Sequence, residues 1–293
     1  MIDLQRLGDI RATAPHAVDE AWSARERRSL LAADGRLLLV AADHPARGAL
    51  GVRDDPMAMA DRGDLLQRIV TALGRPGVDG VLATADILED LLLLGALESK
   101  IVLGSMNRTG LQGAVFELDD RITGYTADQI AARGLDGGKL LARIDLQDQA
   151  TAVTLTGVAA AVDGLAAHRR IAMIEPFWCT RRGDRVVNLL DPDSTIRSIS
   201  VVSGLGATSA YTWLKVPVVD DLERVMDATT LPTVLLGGDP PGDPQDTYAA
   251  WSRAMKLPSV RGLVVGRALL YPRDGDVASA VDQAADLVHG GGR

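Results

Sequence analysis

The segment AYTWLKVPVV, residues 210–219, sets Lys215 inside an otherwise apolar, β-branched and aromatic run. Burying an unpartnered charge is costly, and the group tends to neutralise instead. Two readings fit the residue. It is a strand-end lysine whose ammonium reaches water or pairs with a carboxylate, or it is an amine held ready to attack a carbonyl and form an imine. Imine chemistry needs proton carriers, because carbinolamine formation, dehydration and carbon–carbon cleavage each move a proton. Glu175 in RIAMIEPFW (170–178) and Asp43 in RLLLVAADHP (36–45) place carboxylates at the ends of comparable apolar runs, and Lys139 in GKLLARIDL (138–146) adds a second cation. Plainer roles compete: a turn or cap for Asp43, and an ion-pair partner of Lys139 or Arg143 for Glu175.

Two other apolar runs, PTVLLGGD (232–239) and RGLVVGRAL (261–269), end in small turns that expose backbone amides, Gly237-Gly238-Asp239 and Gly266-Arg267. Amides at a strand end, backed by an arginine, suit a phosphate. His44, Asn107 and Arg143 are further polar residues at run ends and are candidate substrate contacts. A metal site is not expected: the four histidines, His16, His44, His168 and His289, show no ligand spacing. Cys179 is expected as a small packed or loop residue, since no histidine is placed to activate it. No cofactor is called for.

The elements that must position these residues repeat along the chain. Eight short apolar runs, those above with DGVLATADI (79–87), KIVLGSMNR (100–108) and TWLKVPVV (212–219), alternate with amphipathic helical patterns such as DRGDLLQRIVTALGR and DVASAVDQAADLVHG. Continuous apolarity over a few residues suits parallel strands buried on both faces, and eight strand–helix units predict a (β/α)₈ TIM barrel of α/β class. A dinucleotide-binding sheet is disfavoured because the first run continues as DHPARGALGVRDDP, not as a G-x-G-x-x-G turn. Residues 1–30 read as a helical extension that plugs the N-terminal mouth or meets another subunit, and residues 31–293 as the barrel domain. In such a barrel, function sits at the C-terminal strand ends, with phosphate at the loops after the last two strands.

Composition excludes several classes. Lys and Arg number 31 against 39 Asp and Glu, a net charge of −8, and no basic block marks a nucleic-acid footprint. The N-terminus lacks the apolar segment of a signal peptide, and no apolar run reaches the roughly 20 residues that span a bilayer. The expectation is a cytoplasmic homo-oligomer that binds a small phosphorylated sugar or keto-acid, without nucleic-acid or membrane partners.

These motifs resemble the class I (Schiff-base) aldolase superfamily, which includes the deoxyribose-phosphate, tagatose-bisphosphate and archaeal-type fructose-bisphosphate aldolases. LVAADHP resembles their first-strand DHG segment, WLKVPV the segment bearing the imine lysine, and VLLGGDP with LVVGRAL the phosphate-binding ends. GGKLLARID and AMIEPF resemble the lysine and glutamate strands of the tagatose-bisphosphate and sulfofructose-phosphate branch. The resemblance implies Lys215 as imine former, Glu175 and Lys139 as proton-transfer or orienting groups, Asp43 as a polar site residue, and Gly237, Gly238, Gly266 and Arg267 as phosphate ligands. Departures exist: DHP replaces DHG, Arg143 stands where relatives tend to carry an aromatic residue, and no counterpart of the assisting strand-seven lysine of deoxyribose-phosphate aldolases is found. The chain is also similar to aldolase-like barrels of actinobacterial inositol-catabolism clusters, which implies 2-deoxy-5-keto-gluconate 6-phosphate as substrate, cleaved to dihydroxyacetone phosphate and malonate semialdehyde. The expected function is therefore a metal-independent class I aldolase. A phosphosugar isomerase or epimerase using Glu175 as base, or a non-catalytic phospho-metabolite-binding barrel, are the alternatives. The loops TGLQGAVFELDDRITGYT and CTRRGDRVVNLLDPD are expected to contact the aldehyde half, with Arg181, Arg182 and Arg185 either holding an acidic tail or solvated.

Overall fold

Each of the eight apolar runs folds as a strand, and the strands hydrogen-bond side by side into a closed barrel. The computed structural model describes residues 2–238 and 244–290. In chain order the strands are β1 (Leu37–Ala41), β2 (Gly80–Ala83), β3 (Ile101–Ser105), β4 (Gly137–Ile144), β5 (Ile171–Arg182), β6 (Arg185–Asn188), β7 (Thr212–Val216), β8 (Thr233–Leu236) and β9 (Val260–Val265). All except β6 pair in parallel, and the β4–β5 and β1–β9 pairs complete the ring. Helices such as Arg62–Leu73, Ala85–Leu93, Ala150–Ala167, Pro192–Ser203 and Val277–His289 intervene between strands. The architecture is the (β/α)₈ barrel that the repeat of runs predicts.

Strand side chains alternate between two faces, and the two faces fill two cores. Leu37, Leu39, Ala41, Leu82, Ile101, Leu103, Ile171, Met173, Trp213, Val234 and Val264 form the barrel interior. Leu38, Val40, Val81, Val102, Ala172, Ile174, Leu214, Val216, Leu263 and Val265 face the helices and join the larger core. The inward alternation continues at the C-terminal ends. Asp43 follows Ala41 by two, Ser105 follows Leu103, Glu175 follows Met173, and Lys215 follows Trp213. The pattern that packs the interior thus delivers polar groups to the mouth.

At the opposite end, Leu30 and Leu31 pack against the interior cluster. The segment before them is anchored by Arg25, which donates to the carbonyls of Lys100 at 2.8 Å and Gly134 at 2.9 Å. The helix Leu4–Thr13 is tied through Arg11 to Asp90 at 2.7 Å. Ala150–Ala167 is, by length and composition alone, apolar enough to cross a membrane. It packs instead on β4 and β5, with Val158, Val162 and Leu165 buried.

One element departs from expectation. The stretch CTRRGDRVVNLLDPD, expected as a loop, extends β5 to Arg182 and returns as β6 in an antiparallel hairpin that pairs Cys179 with Asn188 and Arg182 with Arg185. Gly183 takes φ +61° in its turn, a conformation that favours glycine. Polar side chains on both strands hid the alternation.

The end of helix Val277–His289 is fastened to the N-terminal side of the barrel. His289 Nδ1 meets Asp34 Oδ2 at 2.5 Å and Nε2 lies 3.2 Å from Asp79 Oδ2; Asp79 also pairs with Arg28 at 2.9 Å. Contact with the Asp79 carboxylate, outweighing burial and helped by Asp34, lifts the His289 pKa to about 9. A pKa raised above the unfolded value of 6.5 stabilises the fold fully below that pH and loses the contribution as pH rises through about 9. We therefore expect urea-unfolding stability to decline across this window, and His289→Gln to flatten that decline.

Candidate active site

Lys139, Glu175 and Lys215 come from the adjacent strands β4, β5 and β7, and their side chains meet at the barrel mouth. Lys215 Nζ donates to Glu175 Oε1 at 2.7 Å, and Lys139 Nζ lies 2.5 Å from Glu175 Oε2. Lys139 Nζ also reaches Asp43 Oδ2 at 3.2 Å. That same oxygen accepts from Ser105 Oγ at 3.2 Å and from Arg108 Nη1 at 3.0 Å. Arg108 Nη2 further donates to the Asp43 carbonyl. Asp43, Lys139 and Lys215 are each 3% exposed and Glu175 8%, so the chain of charges is shielded from water and each member depends on its partners.

Burial by itself would raise both carboxylates, but the cations win. Lys139 and Lys215 hold Glu175 at about 2, and Lys139 with Arg108 holds Asp43 well below the usual range. Burial pushes the Lys139 amine down, against the upward pull of Asp43 and Glu175. The nearest polar neighbour of the Lys215 amine is the Glu175 carboxylate. Glu175 is indeed an ion-pair partner, of both lysines; Arg143 pairs elsewhere.

The cluster forms the floor of an open cavity of about 640 Å³. Toward β8 and β9 the cavity is lined by Gly237, Gly238, Gly266, Arg267 and His44, the group expected to hold phosphate together with a neighbouring candidate contact. Asp239 lies outside the described residues. A Cβ on Gly266 would stand 2.5 Å from the Ala41 carbonyl oxygen and 2.9 Å from His44 Cε1, so only glycine fits this close approach. Burial, opposed by Asp43 and reinforced by Arg267, lowers His44 to about 4, and its Nδ1 is buried with no hydrogen-bond partner. A neutral imidazole with an unused nitrogen faces this end.

Toward β4 and β5 the lining includes Arg47, Arg143, Glu117, Arg185 and Asn188. Arg143 is on the cavity wall but committed to Glu117, contacting its carboxylate and, at 2.6 Å, its carbonyl. Asn107, expected as a substrate contact, is not among the lining residues. It is fully buried, donating to the carbonyls of Leu141 at 2.7 Å and Asp120 at 3.3 Å and accepting from Leu141 N–H at 2.9 Å. It ties the post-β3 loop to β4, with both ends of its amide satisfied. Cys179 is buried and its thiol is pushed up to about 12 by burial, which fits the expected packing role.

Sequence reasoning did not select Arg47 or Glu117, and it placed Arg108 among the polar residues ending the third run without giving it a role. Arg47 pairs with Asp120 at 2.7 Å and donates to the Asn107 and Gly110 carbonyls. Arg108 stands directly after Asn107 at the end of the third run, and only the fold shows that it, not Asn107, turns to Asp43. Glu117 lies in a long loop without local signal.

The family model of Cgl0159-like proteins matches residues 35–285. Among solved structures, Cgl0159 from Corynebacterium glutamicum (Brevibacterium flavum) is 54% identical with a TM-score of 0.95, covering 98% of this chain and 96% of that one. An archaeal fructose 1,6-bisphosphate aldolase is 18% identical with a TM-score of 0.65, covering 94% of this chain and 100% of that one. A Schiff-base-forming fructose-1,6-bisphosphate aldolase is 18% identical with a TM-score of 0.66, over 93% and 100% of the two chains. The likeness to these two aldolases is one of fold. No curated protein matches the chain.

Removing one member of a buried ion pair leaves the other charge uncompensated, at a cost of about 3 kcal/mol. We expect Glu175→Gln, which leaves two ammonium groups facing each other, to lower unfolding stability by about that amount. Adding Lys139→Met should recover part of the loss. Chemical denaturation of the single and double variants measures both.

Proposed function

We propose that this chain, which belongs to the Cgl0159-like family, is a class I aldolase that cleaves a phosphorylated keto-sugar or keto-acid through an imine on Lys215. The observation that carries the reading is one carboxylate, Glu175, shared by two buried lysines at the mouth of a barrel, in a cavity whose other end presents glycine turns and Arg267. The fold shared with fructose-bisphosphate aldolases agrees with it but does not assign the chemistry.

Between the two lysines, contacts favour Lys215 as the nucleophile. Lys139 is held by two carboxylates and Lys215 by one, so Lys215 keeps more freedom to meet a carbonyl. Glu175 takes a proton from the Lys215 ammonium, and the neutral amine adds to the ketone carbon. Lys139, whose ammonium is made more acidic by burial, donates a proton as the carbinolamine hydroxyl leaves as water. The resulting iminium accepts the electron pair of the breaking carbon–carbon bond while a base, Asp43 or Glu175, takes the proton of the hydroxyl that becomes the aldehyde. Protonation of the enamine and hydrolysis then release the ketone product and restore Lys215. The electron sink is the iminium, so no metal is called for. Phosphate held by the Gly237, Gly238, Gly266 and Arg267 end, with His44 beside it, fixes the ketone over Lys215.

An isomerase or epimerase with Glu175 as its sole base is less well supported, because it leaves the Lys215 amine on that carboxylate without a chemical role. The test is a panel of ketose phosphates and phosphorylated keto-acids, including fructose 1,6-bisphosphate and 2-deoxy-5-keto-gluconate 6-phosphate, assayed for dihydroxyacetone phosphate in the presence of a chelator. We expect release from at least one member, loss of release by several orders of magnitude in Lys215→Arg, and phosphate affinity retained within about twofold in that variant. Tight binding of panel members with no turnover would instead point to a phospho-metabolite-binding barrel.

A further inference from the structure

The chain carries a net charge of −8, yet the described lining of the cavity at the barrel mouth holds seven cationic side chains against three carboxylates. Such an excess inside a cleft attracts anions. Five of the seven are matched within the protein: Arg108, Lys139 and Lys215 to Asp43 and Glu175, Arg143 to Glu117, and Arg47 to Asp120. Arg267, which donates to the Gly51 carbonyl, stands at the end assigned above to phosphate; the seventh is Arg185.

We infer that Arg185 forms a second anion subsite, binding a carboxylate or phosphate on the half of the substrate that leaves as the aldehyde. The inference rests on the aldolase reading and narrows its substrate class to a keto compound ionised at both ends. Arg185 opens β6, and among the described residues its side chain has no ion-pair or hydrogen-bond partner. The hairpin that carries it is braced, not loose. Arg181 donates to the Val115 carbonyl at 2.7 Å and pairs with Asp148 at 3.2 Å, and Leu189 N–H donates to the Trp178 carbonyl at 2.8 Å. Arg185 and Asn188 both border the cavity. In barrel order β7 stands between β5, which carries the hairpin, and β8, which is followed by Gly237; β9, followed by Gly266, lies next beyond β8. Lys215 therefore sits between the two anion-binding ends, where the ketone of a doubly ionised substrate would lie. A guanidinium fork suits either oxyanion, since it can donate two parallel hydrogen bonds.

The test compares wild type, Arg185→Gln and Arg185→Lys in the condensation direction, with dihydroxyacetone phosphate as donor. The acceptors are glyceraldehyde 3-phosphate, malonate semialdehyde and neutral glyceraldehyde. We expect Arg185→Gln to lower kcat/KM at least about tenfold, through KM, for one or both anionic acceptors, while neutral glyceraldehyde changes by less than about twofold. Arg185→Lys should restore part of the loss, and which anionic acceptor responds tells carboxylate from phosphate. Equal losses for all three acceptors, or none, overturn the subsite. Borohydride trapping with the donor alone separates the two readings, because it needs no acceptor and should be the same in wild type and Arg185→Gln. If wild type gives no adduct, the aldolase reading fails. Calorimetric titration then decides the subsite: weaker binding of 3-phosphoglycerate but unchanged binding of inorganic phosphate in Arg185→Gln supports it, and equal binding of 3-phosphoglycerate by both proteins overturns it.

Discussion

Glu175 holds two lysine ammonium groups within 2.7 Å in a site almost closed to water, and the mouth of the barrel is organised by that constraint. Taking charges out of water is expensive, so each must be repaid by a close partner of opposite sign. The repayment runs in a line: Lys215 to Glu175, Glu175 to Lys139, Lys139 to Asp43, Asp43 to Arg108. Three cations and two carboxylates leave one positive charge in excess. A buried site with that imbalance favours an anionic ligand.

The barrel makes such a line possible. Neighbouring parallel strands bring side chains on one face close together, and inward positions recur every second residue. Asp43, Ser105, Glu175 and Lys215 each stand two residues beyond an interior apolar side chain, Ala41, Leu103, Met173 and Trp213. A shift of one residue in any of these strands would turn its polar group toward the helices. The apolar interior below fixes the register, and so fixes the distances above. Glycine completes the arrangement where backbone must come close, at Gly266 against the Ala41 carbonyl and His44.

Features written locally in the chain were legible in the sequence, and those that depend on distant partners were not. The eight strands follow from apolar runs whose two-sided burial needs no knowledge of the partner strand, and Lys215, Glu175, Lys139 and Asp43 stood out because a charge interrupts such a run. Glu117 and Arg47 are different. Arg47 ends a single 3-10 turn and Glu117 lies in a loop, and they acquire meaning only through Asp120 and Arg143, residues set beside them by the closed barrel. Asn107 and Arg108 show the same limit at one-residue resolution, since both are polar at a strand end and only the path of the following loop decides which faces Asp43. The hairpin of β5 and β6 was obscured because its alternating positions carry arginines and threonine as well as apolar residues, so its periodicity resembled that of a loop.

The measurement that bears most directly on the central claim is the mass and position of a borohydride-reduced adduct formed with dihydroxyacetone phosphate. The shared-carboxylate arrangement predicts a single stable adduct on the peptide containing Lys215, absent from Lys215→Arg and still formed, though more slowly, in Lys139→Met. An adduct on Lys139, or none on any lysine of the wild-type chain, would contradict it.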